Sequence, residues 1–460
     1  MKNWRLLFVI FAPLLVLMIP VSALPEGFSE IHLRVMSIFV FAVSAWVLEP
    51  FPVYAASLWI IFLQLMMLSN RPLSLIPALG PGQNPLSWEE ILGVFASPIL
   101  ILFLGGFFLA SAATKVKLDK NLARVLLKPF GQNPKMVLLG LILITAVFSM
   151  FMSNTATTAM MLAIVMPVIS GLSQGDPLQK ALILAVPFAA NIGGLGTPIG
   201  TPPNAIALKY LMEIHPVSFM GWMQFAVPYM VFILFLLWVI LIVMFPSATK
   251  SIQIDMTGRF LKSVDAYVVY VVCALTVVLW LTGAWHGLNS YTVALLPVCI
   301  FSATKIVGKP ELRDMSWDVL WLVAGGVALG DSMEKTGLSS LIVQNLPLGS
   351  LSMVMMSVIF AILCFVLSNF MSSTATANLV LPLVAAMGMQ WGESGATVLI
   401  LVSCFSCSLA MALPVSTPPN ALAYASNRVS QSDMLKAGLM VGLIGLILSL
   451  VVFTLFQKAL

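Results

Sequence analysis

A chain of 460 residues that is 60% hydrophobic and only 8% charged falls far below the roughly 25% charged residues of soluble domains. That composition excludes a water-soluble fold. The apolar segments, mostly about 17–25 residues long, suit helices crossing about 30 Å of hydrocarbon rather than the ~10-residue alternating strands of a membrane barrel. The net charge of +5 sits in five groups beside the apolar runs, which reads as topology and not as nucleic-acid binding.

Lys2 and Arg5 precede an apolar run from Leu6 to Leu24. Its end, Val21-Ser22-Ala23, resembles a signal-peptide cleavage site. The run is long for a signal peptide and another span follows Pro25-Glu26-Gly27, so residues 1–30 are expected to form a retained first transmembrane helix. Spans at about Leu33–Leu48 and Tyr54–Leu68 flank the turn Glu49-Pro50-Phe51-Pro52, and the loop Ser69–Trp88 fits the outer side. A fourth span, Pro98–Ala113, carries Gly105-Gly106 and runs into the basic amphipathic stretch Lys115–Lys128, suited to the cytoplasmic interface.

Residues 134–172 are too long for one helix, and they are interrupted at Ser153-Asn154-Thr155. Both ends, Asn133-Pro134-Lys135 and Gln174-Gly175-Asp176-Pro177, look like aqueous turns. A re-entrant hairpin keeps the later basic groups (Lys250, Arg259, Lys262; Lys305, Lys309, Arg313; Arg428, Lys436) on the cytoplasmic side, as the positive-inside bias requires. The next helix, 180–212, breaks at Gly193-Gly194-Leu195-Gly196-Thr197-Pro198-Ile199-Gly200-Thr201-Pro202-Pro203, a run no helix continues through. A sixth span, about Phe225–Phe245, closes a first half of residues 31–250.

The second half, 251–460, repeats the plan: spans at Ala266–Thr282 and Tyr291–Ile306, another containing Gly325-Gly326, a hairpin 350–390, a broken helix 393–428 and a last span Leu435–Phe456. Ser368-Asn369-Phe370-Met371-Ser372-Ser373-Thr374 answers Ser149-Met150-Phe151-Met152-Ser153-Asn154-Thr155, and Ser416-Thr417-Pro418-Pro419-Asn420 answers Gly200-Thr201-Pro202-Pro203-Asn204. The near-constant offset marks an internal repeat, and an odd number of crossings between the copies makes it inverted in the membrane.

Helix breaks inside a bilayer persist only where protein or a polar cavity surrounds them. They free N–H groups that attract anions and C=O groups that, with Ser, Thr and Asn oxygens, suit a small cation such as sodium. The economical reading is two cation sites flanking one shared anion site. The motifs contain no Lys, Arg, Asp or Glu, which argues against a carboxylate proton relay. Isolated intramembrane serines and threonines often only bond the i−4 carbonyl, but repetition at matched positions argues against that here. The paired glycines are expected at close helix contacts. Lys209, Glu213 and His215, and Trp222, Trp285, Trp317 and Trp321, are expected at the membrane interface. The five cysteines lie in apolar runs and read as small buried hydrophobes. The three histidines are dispersed and no catalytic arrangement is present, so an enzyme is not expected. The absence of any Asn-x-Ser/Thr sequon suits a bacterial membrane.

The doubled Ser-Asn-Thr and Thr-Pro-Pro-Asn motifs resemble those of the divalent-anion:sodium symporter family, the di- and tricarboxylate and sulfate carriers, across the whole chain. The resemblance implies an all-α membrane protein with about eleven transmembrane helices and two re-entrant hairpins, a homodimer held by a scaffold domain, and an elevator-like motion of a transport domain. It places one sodium at Ser149, Ser153, Asn154 and Gly200 and a second at Ser368, Ser372, Ser373 and Ser416. Substrate carboxylates would meet Asn154, Thr155, Ser373 and Thr374, with Thr201, Pro202, Thr417 and Pro418 nearby. The chain departs from the family pattern at Ser373, where asparagine is usual, and at Ser416, where alanine is common. The expected function is sodium-driven transport of C4-type dicarboxylates such as succinate, fumarate or malate. The bacterial inner membrane is the expected location, with the N-terminus cytoplasmic, the C-terminus outside, and lipid and a small dianion as partners. A sodium-independent dicarboxylate/citrate antiporter or a sulfate carrier is the alternative of the same fold, and an anion channel the alternative of another class.

Overall fold

Apolar runs punctuated by Asn, Ser and Asp caps dictate helix throughout. The computed structural model describes residues 3–74, 79, 83–173, 175–247, 249–252, 259–345 and 351–455, and these contain helices and no named strand. Lys2, Gln174 and residues 350 and 456–460, which fall in the expected elements above, lie outside them, as do parts of the 69–88 loop and the 246–263 connection.

The first half contains α1 (Asn3–Leu17), α2 (Glu30–Leu48), α3 (Val53–Met67), α4 (Trp88–Gly93), α5 (Pro98–Lys115), α6 (Leu118–Leu127), α7 (Pro134–Ser149), α8 (Asn154–Ser170), α9 (Pro177–Gly193), α10 (Pro202–Ile214) and α11 (Phe219–Met244). The second contains α12 (Val264–Leu281), α13 (Gly283–His286), α14 (Ser290–Ala303), α15 (Lys309–Arg313), α16 (Trp317–Lys335), α17 (Leu338–Asn345), α18 (Met353–Phe370), α19 (Ser373–Gly388), α20 (Gly392–Ser408), α21 (Pro418–Tyr424) and α22 (Gln431–Leu455). Side-chain caps set several starts: Asn133 Oδ1 accepts from Lys135 N (3.0 Å) and Asp176 Oδ1 from Leu178 N (2.9 Å), each with proline at the first helical position.

Among the described residues, seven helical segments are long and apolar enough to cross a membrane, and α1, α3, α7, α8 and α14 are shorter apolar helices. On α12, Val264, Tyr267, Val271, Leu275 and Val278 form an exposed apolar stripe at helical spacing, and α22 exposes Leu443, Ile447 and Val451. Water does not tolerate such faces over many helices, whereas lipid does. By contrast the segment Pro177–Gly196 is 94% buried, which makes α9 the central helix of the molecule. The chain is a multi-pass membrane protein.

The basic groups converge on one end. Arg5 donates to Leu48 O beside the start of α3, and α3 runs parallel to α16, with Ser57 bonded to Leu322 O and Gln64 to Ala328 O. Lys115 bonds Ile306 O (2.7 Å) and pairs with Glu311 (2.6 Å); that hydrogen bond holds the Glu311 carboxyl below its ordinary range. Ile252 N donates to Gln132 O, Thr249 Oγ1 to Asp176 and Arg428 to Gln179. Both feet of the α7–α8 pair therefore stand at this basic end. The α18–α19 pair enters from the opposite end, following α16 and α17. The two hairpins point toward each other.

The paired glycines pack as expected at three of four positions. A Cβ on Gly105 would lie 2.5 Å from Ala294 O, on Gly325 2.3 Å from Ser57 Cβ, and on Gly326 1.8 Å from Asn378 Oδ1, whereas Gly106 has ordinary clearance. Other expectations change. Trp222 is fully buried and is no belt residue: its ring lies against Phe225 and Phe405, and Nε1 donates to Leu195 O (3.0 Å) at the first break. Cys299 is exposed and Cys273 half-buried on lipid-facing helices, while Cys364, Cys404 and Cys407 are buried. Lys209 is drawn inside, where it pairs with Asp331 of α16 and lies 4.8 Å from the Tyr210 ring. Glu213 stays exposed and His215 half-buried.

An intramembrane cation without a partner is expensive. Asp331→Asn is expected to destabilise the protein by about 1–3 kcal/mol, less than for a fully buried pair because the Asp331 side chain keeps 31% exposure. Replacing both partners (Lys209→Met with Asp331→Leu) should recover much of the loss, as read by thermal unfolding in detergent.

Candidate functional site

Four interruptions of helix meet at one cavity of about 670 Å³. Its wall includes the α7–α8 tip (Ser153, Asn154, Thr155), the first break (Gly200, Thr201, Pro202), the α18–α19 tip (Ser372, Ser373, Thr374) and the second break (Ser416, Thr417, Pro418). All eight residues expected near substrate line it. Of the expected cation ligands, Ser153, Asn154, Gly200, Ser372, Ser373 and Ser416 line it, while Ser149 and Ser368 are fully buried. Apolar walls come from Phe103, Gly106 and Phe107 of α5 and Val319 and Leu322 of α16. Glu49 and Asp318 extend it toward the basic end. No Lys or Arg is among its lining residues. A larger crevice of about 1070 Å³ lies between α10–α11 and α12–α14, but Phe219, Trp280, Tyr229, Phe232 and Leu279 make it aromatic and aliphatic. Size alone does not mark the polar site.

The breaks are held open by asparagine. Asn204 Nδ2 donates to Gly194 O (2.9 Å), Leu195 O (3.3 Å) and Thr197 O (2.8 Å). Asn420 Nδ2 repeats the pattern on Met411 O (2.7 Å) and Leu413 O (3.0 Å). Both are fully buried, and both amide oxygens are taken by the other half: Asn191 donates to Asn420 Oδ1 (3.3 Å) and to Thr417 Oγ1 (3.1 Å), and Cys404 Sγ to Asn204 Oδ1 (3.6 Å). The last residue of Thr-Pro-Pro-Asn is thus a brace for carbonyls that a continuous helix would have satisfied.

Prolines at the first two positions of α10 and α21 carry no N–H. Backbone donors for an anion therefore come from the N-termini of α8 and α19, and the breaks offer the Thr201 and Thr417 hydroxyls. Ser153 caps α8 by accepting from Ala156 N (3.2 Å), whereas Ser372 makes no side-chain cap bond at α19.

Around Asn154 the oxygens converge. One terminal amide atom lies 2.6 Å from Ser149 Oγ, 3.1 Å from Gly200 O and 3.3 Å from Ala190 O, and Ser149 Oγ donates to Ala190 O (2.7 Å). Facing acceptors only, that atom is Nδ2; with a cation shared among the same oxygens, the amide oxygen would turn inward instead. The cradle is close: a Cβ on Gly200 would lie 2.3 Å from Gly194 O, and one on Gly194 2.8 Å from the Asn154 amide. In the second half, Ser368 Oγ and Ser408 Oγ are buried with no hydrogen-bond partner. Hard oxygens without basic groups fit sodium. Among the described residues, no cluster of His, Cys, Asp and Glu suits a transition metal.

Asn191 and Ser408 were not singled out from sequence. An amide deep in the almost wholly buried α9, far from Gln179 at its start, is the signal that could have found Asn191, since a buried amide needs partners.

The full chain, residues 1–460, matches the profile of the sodium:sulfate symporter transmembrane region. The chain belongs to that family. It is accordingly a transporter and not an enzyme. It is 29% identical to the sodium-dependent dicarboxylate transporter SdcS of Staphylococcus saprophyticus, over 97% of this chain and 90% of that protein. The fold is shared with the Neisseria gonorrhoeae MtrF structure (TM-score 0.53, 13% identity, 94% of this chain and 96% of that one) and with the Alcanivorax borkumensis YdaH transporter (TM-score 0.53, 14% identity, 79% and 86%).

Gly200→Ala should force the 194–200 turn apart at a cost of about 1–3 kcal/mol, lowering the thermal unfolding midpoint. Gly106→Ala, whose added Cβ meets only Ile199 Cδ1 at 3.6 Å, should lower it less. Equal midpoints for Gly200→Ala and the unaltered protein would show that the turn has slack.

Proposed function

We propose that this family member carries C4-type dicarboxylates such as succinate, fumarate or malate, coupled to sodium. The observation that carries the reading is the convergence of both hairpin tips and both breaks on one cavity lined by hydroxyls and amides and by no basic side chain. A dianion there is held by helix N-termini and O–H donors, strongly enough to bind and weakly enough to leave. The oxygen ring at Ser149, Asn154, Gly200 and Ala190, and the unpartnered Ser368 and Ser408 hydroxyls, support two cation sites. Substrate carboxylates then meet Asn154, Thr155, Ser373 and Thr374 with Thr201, Pro202, Thr417 and Pro418 close by, and bound sodium offsets part of their charge. The name of the staphylococcal relative points the same way.

The reading extends to topology and motion. With the basic end cytoplasmic, the N-terminus lies inside and α22 carries the C-terminus outside, in a bacterial inner membrane. Residues 31–250 and 251–460 are then inverted repeats, and the cavity, reaching Glu49 and Asp318, opens inward. Two contacts, Lys209 with Asp331 and Asn378 with Leu322 O (3.0 Å), join the hairpin and broken-helix elements to α16. An elevator-type movement of those elements against a scaffold, in a homodimer, breaks and remakes them.

Ser373 favours weighing exchange as the second reading, because it leaves the second tip without the amide of the first. Uptake of labelled succinate into proteoliposomes separates the two. Uptake into empty vesicles that needs an inward sodium gradient is expected. Uptake only into succinate-loaded vesicles, indifferent to sodium, would establish an antiporter, and non-saturable flux without counterflow would establish a channel. Asn154→Ala should lower uptake more than tenfold while leaving folding and membrane insertion intact; wild-type uptake by that variant would remove Asn154 from the site.

A further inference from the structure

Aligned on their serines, the two hairpin motifs differ in where the amide stands. Asn154 of the first half is answered by Ser373, and Met150 is answered by Asn369. The second half has not lost its asparagine; it carries it four residues earlier in register, on the last turn of α18.

The geometry gives the displaced amide a comparable task. In the first half the Asn154 amide ties the hairpin tip to the break at Gly200 O. In the second, Asn369 Oδ1 accepts from Ala412 N (3.0 Å) and from Ser416 Oγ (3.2 Å), and Ser416 is the counterpart of Gly200. The Asn369 carbonyl also accepts from Ser416 Oγ (3.1 Å), while Nδ2 donates to Phe365 O (2.8 Å), so the buried side chain is engaged through both its oxygen and its nitrogen. Ser416 Oγ in turn accepts from Leu413 N (3.0 Å). The residue immediately before Asn369 is Ser368, whose hydroxyl is fully buried and unpartnered. Ser373 is too short to span from tip to break as Asn154 does.

We propose that Asn369 is the positioning residue of the second cation site: it fixes the Ala412–Ser416 turn against the end of α18 so that the Ser368 hydroxyl is free to face the ion. Asn369 acts as a strut and not as a ligand, because its amide oxygen already accepts from Ala412 N and shares the Ser416 hydroxyl proton with its own backbone carbonyl. The two sites thus differ in construction. In the first the amide belongs to the oxygen ring, and in the second it is a strut behind it. The inference rests on the two-cation reading above.

The test uses the full chain in proteoliposomes and in detergent, with sodium chloride against choline chloride. Asn369→Ala should raise the sodium concentration for half-maximal succinate uptake by about 5–10-fold, the scale of one or two lost buried hydrogen bonds. The succinate KM at saturating sodium should stay within about twofold, and the sodium-induced rise in thermal midpoint should shrink. Adding Ser373→Asn in that background should return the sodium curve toward wild type, since it restores an amide at the tip. Asn369→Gln, which keeps an amide donor and acceptor and adds no charge beside the ion, should lie closer to wild type in sodium dependence than Asn369→Ala and guards against failure of the alanine variant to fold. An unchanged sodium curve for Asn369→Ala beside a sodium-dependent wild type would overturn this inference alone. A midpoint lowered equally in sodium and choline, with no rescue by Ser373→Asn, would make Asn369 a packing residue and also overturn it. A wild type indifferent to sodium would overturn the two-cation reading and this inference together.

Discussion

A backbone that leaves the helix inside a hydrophobic protein must find partners for every N–H and C=O it frees, because no bulk water is there to take them. Everything at the centre of this molecule follows from that constraint. Asn204 and Asn420 take up five carbonyls between them, and their own oxygens are claimed by Cys404 and Asn191 from the opposite halves. The breaks are consequently cross-braced: each asparagine holds its own loop and is itself oriented by a donor from the opposite half. Trp222, buried against Phe405 with its N–H on Leu195 O, adds a third brace to the first loop.

Paired prolines sharpen the division of labour. They remove the first two backbone N–H groups of α10 and α21, so the Thr201 and Thr417 residues at the caps are left as the donors nearest the cavity there. The hairpin tips, started by Ser153 and Ser372, keep their amides. One cavity is thereby supplied with N–H groups from two directions and oxygens from two others, without a formal positive charge on its wall. Such a wall offers an anion graded dipoles in place of a fixed ion pair with a basic side chain, which would be hard to release.

The plan of the chain was legible in its sequence because the signals were categorical. A Gly-Gly-x-Gly…Pro-Pro run cannot be helix, and two Thr-Pro-Pro-Asn breaks beside two Ser-x-Thr tips at a near-constant offset can hardly arise separately. Helix limits agreed within a few residues for α2, α3 and α5, where Ser29, Pro52 and Pro98 mark the starts. What escaped was pairwise. Asp331 lies 122 residues from Lys209, so nothing local announced that the lysine would turn inward. Trp222 sits near a helix start, as an interfacial tryptophan would, and only tertiary packing decides that it faces Phe405. The short α17, counterpart of α6, lacks the lysines that made α6 conspicuous. The displaced amide of Asn369 was visible in the alignment of the two halves, but its meaning depended on seeing Ser416 within reach.

The dimensions of the central cavity have a consequence for selectivity. At about 30 Å³ per molecule of liquid water, 670 Å³ accommodates on the order of twenty waters. A small dianion in a cavity of that size keeps many of its hydration contacts, so its recognition rests on charge and reach rather than on a close fit. Phe103, Phe107, Val319 and Leu322 offer that retained water no hydrogen bond, so it is ordered from the side of the tips and breaks, where hydroxyls and helix ends reach the anion through water as well as directly.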